Sequence, residues 1–149
     1  MRIAAAFLAD AANIREGTLG VLSGFINTIN RDEFPASLGA TLVVVVEYDE
    51  NEARRGDPER TFRARCEPAI GGGEIFSLEG TFSLGGGNDS FGYIPMVFPL
   101  AEAQIPMPGS YRIIFEGTGL ERVDVRFYAN PSSMPGLEDT DFTDSDFEE

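Results

Sequence analysis

Histidine, lysine and tryptophan are absent from this chain of 149 residues, and cysteine occurs once, as Cys66. Without histidine, the chain has no side chain whose ordinary pKa lies between about 5 and 8, no imidazole metal ligand and no Ser-His or Cys-His nucleophile pair. A lone cysteine forms no disulfide within the chain, so Cys66 gives no sign of an oxidising compartment. We therefore expect a protein that is not an enzyme and that has no cofactor and no small-molecule substrate.

Long apolar runs are also missing near the N-terminus. Residues 3–9 are apolar, but the run is cut off by Asp10 after seven residues. A membrane-spanning helix needs about 20 apolar residues, and a signal peptide needs a longer apolar region before its cleavage site. We expect no membrane partner, and a location in the cytoplasm or, if the chain is encoded by a phage, in the virion.

Positive charge is scarce, and the net charge is −14. Seven acidic residues and no basic one lie in the last twelve residues. We expect no binding to nucleic acid, because such binding needs clustered lysine or arginine against the phosphates and this chain is strongly acidic. Proline, serine and glycine from residue 130 onward indicate a linker, and the acidic segment after it is too polar to bury much surface. We predict a domain over residues 1–129 and a disordered tail over residues 130–149.

What the chain does contain is alternation of apolar and polar residues with a period of two. In Tyr111–Glu116 one face takes Tyr111, Ile113 and Phe115, and several other segments alternate in the same way. About eight such segments at this spacing predict an all-β, antiparallel β-sandwich of the immunoglobulin-like or C2-like kind. The glycine runs 71–73 and 85–87 are typical of hairpin loops. Residues 10–17 are expected to form one short helical turn that starts at Asp10 and stops at Gly17.

Two of the predicted strands carry more information. The segment 41–47 is apolar on both faces, so its outer face needs a cover, for which another subunit is one candidate. Val43 and Val45 are therefore candidate partner-binding residues. In the segment 93–100, Pro95 and Pro99 remove backbone donors, which is tolerated at the edge of a sheet. This strand is expected to protect an edge from unwanted pairing.

The acidic tail is a second candidate contact site. Leu137, Phe142 and Phe147 recur at five-residue intervals among its acids, as apolar anchors of a docking motif do. A merely solubilising tail is the alternative. One cluster of basic residues could receive such a tail from a neighbouring copy. It consists of Arg54, Arg55, Arg60, Arg63 and Arg65.

Two other kinds of site are weaker. Cys66 alternates with Phe62 and Ala64 on the expected inner face, whereas Arg65 points to the opposite face, so we expect a buried structural thiol. The acidic tail lacks the glycine and the glutamate of a calcium-binding loop. Carboxylates in other loops could instead hold calcium in a C2-like module. These loop candidates are Asp49, Glu50, Asp57 and Asp89.

Two stretches resemble known proteins. The segment 7–26, followed by Phe34, Pro35 and Ala36, resembles a family of small uncharacterised proteins of bacteria and bacteriophages. The segment 105–113, which contains Pro108, Gly109 and Tyr111, is similar to the strand entry of immunoglobulin-like and C2-like sandwiches. The first resemblance implies a small β-sandwich protein and no catalytic residue.

We expect a non-enzymatic structural or protein-interaction module, such as a self-associating phage virion, capsid decoration or accessory protein. Two alternatives stay open. One is a C2-like module that binds a ligand with calcium, and the other is an acidic mimic of nucleic acid that inhibits a DNA-binding protein.

Overall fold

The computed structural model describes residues 1–54, 59–84 and 91–132, which form an all-β fold with one short helix. The all-β prediction is confirmed. In chain order the elements are β1 (Arg2–Arg15), β2 (Thr18–Ile26), β3 (Thr28–Arg31), β4 (Ala36–Ser37), β5 (Thr41–Tyr48), α1 (Glu50–Arg54), β6 (Arg60–Pro68), β7 (Phe76–Phe82), β8 (Gly92–Pro99), β9 (Gln104–Ile105), β10 (Gly109–Gly117) and β11 (Val123–Pro131).

The strands form two large, curled sheets. One has four strands in the order β2-β1-β5-β8, and the other has five in the order β3-β11-β10-β6-β7. The pair β4 and β9 stands apart as a small ribbon. β3 and β11 run parallel, while every other pairing among the described residues is antiparallel. Among the described residues, β3, β4 and β9 are short strands of four residues or fewer.

One large hydrophobic core draws on both sheets. Leu42 and Val44 come from the four-stranded sheet, and Ile113 and Phe115 from the five-stranded sheet. The ring of Phe62 on β6 lies 5.2 Å from that of Phe98 on β8 and 5.5 Å from that of Phe115 on β10, measured between centroids. Aromatic rings thus bridge the two sheets at separations at which rings attract one another.

The expected helical turn at residues 10–17 is wrong. β1 continues through this segment to Arg15, and Arg15 pairs with Thr18 across a two-residue turn. The turn residues Glu16 and Gly17 have φ angles of 50° and 76°. Positive φ at both central positions suits the twist of a tight β-hairpin, and glycine adopts it without steric cost. The pairing with β2 therefore decides the structure here, against the helix propensity of Ala11 and Ala12.

Two expectations about strand ends and edges are confirmed. β8 lies at the edge of its sheet, with Pro95 opposite Val45 and Pro99 opposite Thr41 of β5. The glycine run 71–73 connects β6 and β7, which pair as an antiparallel hairpin. The second glycine run, 85–87, lies outside the described residues.

β5 is covered on both faces, as its sequence requires. Its inner residues Leu42, Val44 and Val46 belong to the large core. On the outer face, Val43 is completely buried in a second, smaller cluster with Phe7 and Ala9 of β1. Leu19 of β2 packs against this cluster. The cover that Val43 needs is therefore supplied by the chain itself, and Val45 is partly buried beside it.

Cys66 is fully buried in the large core, as predicted, while Arg65 points to the outer face of the sheet. Burial raises the pKa of the Cys66 thiol from 9.0 to about 12, and the charge of Glu67 adds to this shift. Because the thiolate is the reactive form, we expect iodoacetamide at pH 8 to leave the native chain unmodified and to alkylate it fully in concentrated urea. Equal rates in both solvents would contradict this burial.

The raised pKa of Cys66 also predicts the direction of a pH effect. Between pH 9 and about 12 the unfolded chain loses the thiol proton while the folded chain keeps it, so the free energy of unfolding falls as the pH rises. The expected slope is at most about 1.4 kcal/mol per pH unit. The variant Cys66→Ala should lack this contribution, which urea unfolding at several pH values measures.

Candidate interaction surface

Exposed apolar side chains are concentrated on one part of the molecule. Of the nine large hydrophobic residues that are exposed in the described part of the chain, four lie between residues 10 and 25. They are Ile14, Val21, Leu22 and Phe25, whose exposed fractions are 45%, 41%, 64% and 72%. We call residues 10–25 the distal hairpin. Single exposed hydrophobics are common on protein surfaces, whereas a group of them indicates a contact site.

The distal hairpin extends from the fold as two regularly paired strands. Ala11 pairs with Leu22, Ala12 with Val21, and Ile14 with Leu19. Residues of both strands line an open pocket on the hairpin. It is lined by Ala11, Ala12, Asn13, Gly20, Val21 and Leu22.

A β-bulge marks the base of the distal hairpin. Leu8 pairs with Ile26 and Ala9 with Gly24, so Phe25 is an extra residue in β2. Ser23 and Phe25 have φ angles of 51° and 59°, a conformation that costs roughly 1 to 3 kcal/mol for such residues. The Phe25 ring stacks on that of Phe7, with centroids 4.4 Å apart. This stacking offsets part of the strain and fixes the Phe25 ring on the outside of the sheet.

Gly24 leaves the Phe7 ring close to the backbone of β2. A Cβ atom at this position would lie 3.3 Å from Cε2 of Phe7 and 3.2 Å from Cγ1 of Val21. Both separations are tighter than ordinary side-chain contacts, so a larger residue would push the Phe7 ring away. The sequence Ser-Gly-Phe at residues 23–25 thus shapes the surface beside the exposed residues.

The predicted basic cluster is divided in the structure. Arg63 and Arg65 lie on the outer face of β6. Arg60 instead lies on the strand face that carries the core residues, and its Nε atom is buried without a partner in the described residues. Arg63 donates to Glu74 over 2.7 Å, and Arg65 pairs with Glu116. The β6 arginines on the outer face are therefore neutralised within the chain. The side chain of Arg54, and the whole of Arg55, lie outside the described residues.

The outer face of the five-stranded sheet is an ionic layer over a buried apolar residue. Ile114 of β10 is completely buried, although its direct neighbours across the sheet are Arg65 and Asp124. Arg112 donates to Glu67 over 2.9 Å, and the guanidinium of Arg122 holds the pKa of Asp124 below its usual value. The long arginine stems cover Ile114 while their charges are paired. This face is a satisfied surface, in contrast to the distal hairpin.

The calcium candidates do not converge in the part of the chain that is described. Asp49 accepts a hydrogen bond from the backbone N–H of Glu52, and Glu52 accepts one from the N–H of Asp49, both over 2.9 Å. This reciprocal pattern is the capping box of α1, so both carboxylates serve to start the helix. Within residues 1–54, 59–84 and 91–132, no group of three potential ligands could hold a metal ion. Asp57 and Asp89 lie outside these ranges.

The predicted tail anchors Leu137, Phe142 and Phe147 also lie outside the described residues. The division between a domain over residues 1–129 and a tail over 130–149 stays a prediction, although β11 continues to Pro131. Val43 and Val45, the other candidate contact residues, belong to the cluster beneath the base of the distal hairpin. Sequence reasoning did not single out the distal hairpin itself. The signal that could have found it is the lack of any charged residue from residue 17 to residue 30.

Within the described residues, no helix is long and apolar enough to cross a membrane. A comparison with curated proteins finds no match to this chain. A family described as a family of unknown function, DUF6941, matches residues 4–130. This match includes both large sheets and the whole distal hairpin. Because it covers most of the 149 residues, the chain belongs to this family of unknown function.

Proposed function

We propose that this protein is a non-enzymatic contact module, and that the distal hairpin is its contact surface. The observation that carries the proposal is the group of four exposed apolar side chains on a hairpin that projects from an otherwise well-paired sheet. Leaving this much apolar surface in water is unfavourable, at about 25 cal/mol for each Å² that a partner could cover. A protein partner would remove this cost.

Fixed geometry supports the same proposal. The exposed residues lie on a paired hairpin, and the Phe25 ring is held by its stacking on Phe7. A surface fixed in advance loses little conformational entropy on binding, which favours affinity. The strained φ angles at Ser23 and Phe25 fit a functional surface, because such strain is retained where it shapes a site.

The chemistry of the rest of the molecule favours contact over catalysis. The Cys66 thiol is protonated at neutral pH and has no access to solvent. On the outer sheet face, Arg65 pairs with Glu116, and Arg112 pairs with Glu67 and Asp124. We propose in addition that the two large sheets pack as a β-sandwich, since both contribute to one core. A role as a self-associating component of a phage virion stays a prediction.

Photo-crosslinking tests the proposed function. A benzophenone amino acid replaces Val21 in the full chain. The chain is expressed in its source cells, which are then irradiated. The matched control carries the same group at Ile70, an isoleucine in the β6–β7 loop that is 92% exposed. We expect a protein adduct from position 21 and none from position 70. No adduct from position 21, or equal yields from both positions, would remove the distal hairpin as the contact surface.

A further inference from the structure

We infer that β2 pairs antiparallel with β2 of a second copy of this chain, about a two-fold axis. Two four-stranded sheets would then join into one continuous sheet of eight strands. This inference rests on the proposed contact function and names its partner.

Three of the four edge strands of the two large sheets are protected against pairing. β8 carries Pro95 and Pro99, which remove backbone donors. β3 is four residues long and ends in Arg31. β7 carries the exposed charge of Glu79 at its centre. Prolines, shortness and charges are the devices by which proteins prevent edge-to-edge association.

β2 has none of these protections. It is nine residues long, contains no proline and no charged residue, and is exposed along most of its length. The bulge at Phe25 interrupts only its C-terminal end, and Thr18–Leu22 pairs with β1 in unbroken register. The outer side of this segment has no strand beside it in the described residues. Its backbone N–H and C=O groups therefore suit the addition of an extended strand.

β2 is the place where the negative charge of the chain least opposes a second copy. Each copy carries a net charge of −14, so two copies repel one another over most approaches. Residues 17–30 form the longest stretch of the sequence without a charged residue, and β2 lies within it. Pairing through β2 therefore brings no like charges of the two β2 strands together.

The pairing of two identical β2 strands fits two-fold symmetry. An antiparallel strand pair about a two-fold axis is self-complementary, because each strand offers the other the same donors and acceptors. Successive side chains of a strand point to opposite faces, so such pairing would place Val21 beside β2 residues of the other copy on one face and Leu22 beside them on the other face, and would cover part of both side chains. The same pairing would thus satisfy the open backbone edge and shield some of its apolar side chains.

A cysteine scan tests this pairing. Each residue of Thr18–Leu22 is replaced by cysteine in turn, in the full chain, and exposed to mild oxidant. The native Cys66 is fully buried, so it does not compete. In a two-fold antiparallel pair, each step away from the axis separates the two cysteines by roughly 7 Å, which exceeds disulfide reach after one or two steps. We expect disulfide dimers at one or two neighbouring positions and a sharp fall on either side.

The control variant Ile70→Cys should give no dimer. Monomer at all five scanned positions, or equal dimer yields along the segment and at residue 70, would overturn the β2 pairing. The proposed contact function has its own readout, because the photo-crosslink from position 21 reports any protein partner. An adduct with a different protein there would support the contact function and contradict pairing between copies.

Discussion

Replacing Phe115 by alanine is expected to lower the free energy of unfolding by about 3 to 5 kcal/mol, the usual range for a large aromatic residue lost from a core. Phe115 lies in β10 and is completely buried. Its ring contacts that of Phe62 on the same sheet and that of Phe98 on the other large sheet. The change therefore leaves a cavity in the core to which both sheets contribute, and removes two aromatic contacts.

Urea unfolding at one protein concentration measures this effect, with Phe25→Ala as the matched control. The chemical change is the same, but the Phe25 ring is mostly exposed and contacts the single ring of Phe7. The control should lose no more than about 1.5 kcal/mol, the upper range for one aromatic pair. Equal losses in the two variants would show that Phe115 does not join the two sheets.

Replacing Val43 by aspartate should destabilise the isolated chain by about 3 to 5 kcal/mol, because it buries a charge without a partner. Val43 lies on the outer face of β5 and is completely buried in the cluster that it forms with Phe7 and Ala9. Val45 lies two residues further along the same face of β5 and is only partly buried. The control variant Val45→Asp should therefore lose clearly less stability.

This pair of variants decides what covers the outer face of β5. If the chain itself provides the cover, the difference between the two variants is present in dilute monomer. If another subunit provided it, aspartate at residue 43 would be tolerated by the monomer and would disturb only assembly. Equal and small losses in thermal or urea unfolding at low concentration would contradict the packing that we describe.

Much of the fold could be predicted from the local pattern of the sequence. The alternation in Tyr111–Glu116 predicts a half-buried strand, and β10 has this structure, with Tyr111, Ile113 and Phe115 buried. The prolines at 95 and 99 predict an edge, because the missing donors restrict where such a strand can lie. The burial of Cys66 follows from its alternation with Phe62 and Ala64. Each of these features depends on residues that are close in sequence.

Features that depend on distant pairing could not be predicted in this way. Asp10, two alanines and Gly17 fit a helical turn as well as a hairpin, and the pairing with β2 decides between them. The two-sided apolar pattern of β5 shows that a cover is needed. It does not show that Leu19, from a hairpin more than twenty residues away, contributes to it.

The candidate interaction surface was the least predictable part. The apolar residues of β2 predict a strand, but their exposure depends on where β2 lies in the sheet. The tail was predicted as a contact site because its phenylalanines lie among acidic residues. Leu22 and Phe25 lie in a segment with other apolar residues, so the sequence does not distinguish them. The absence of charge from residue 17 to residue 30 acquires meaning only once β2 is known to be an edge.

Sedimentation equilibrium tests most directly whether this protein acts through the open edge of β2. The wild-type chain, Leu22→Asp and Ile70→Asp are compared over a range of concentrations; the two variants carry the same added charge on exposed residues. We predict that the wild type and Ile70→Asp reach twice the monomer mass of 16.2 kDa, while Leu22→Asp stays monomeric. A wild-type chain that is monomeric at every concentration, or a Leu22→Asp variant that assembles like the wild type, would contradict the account.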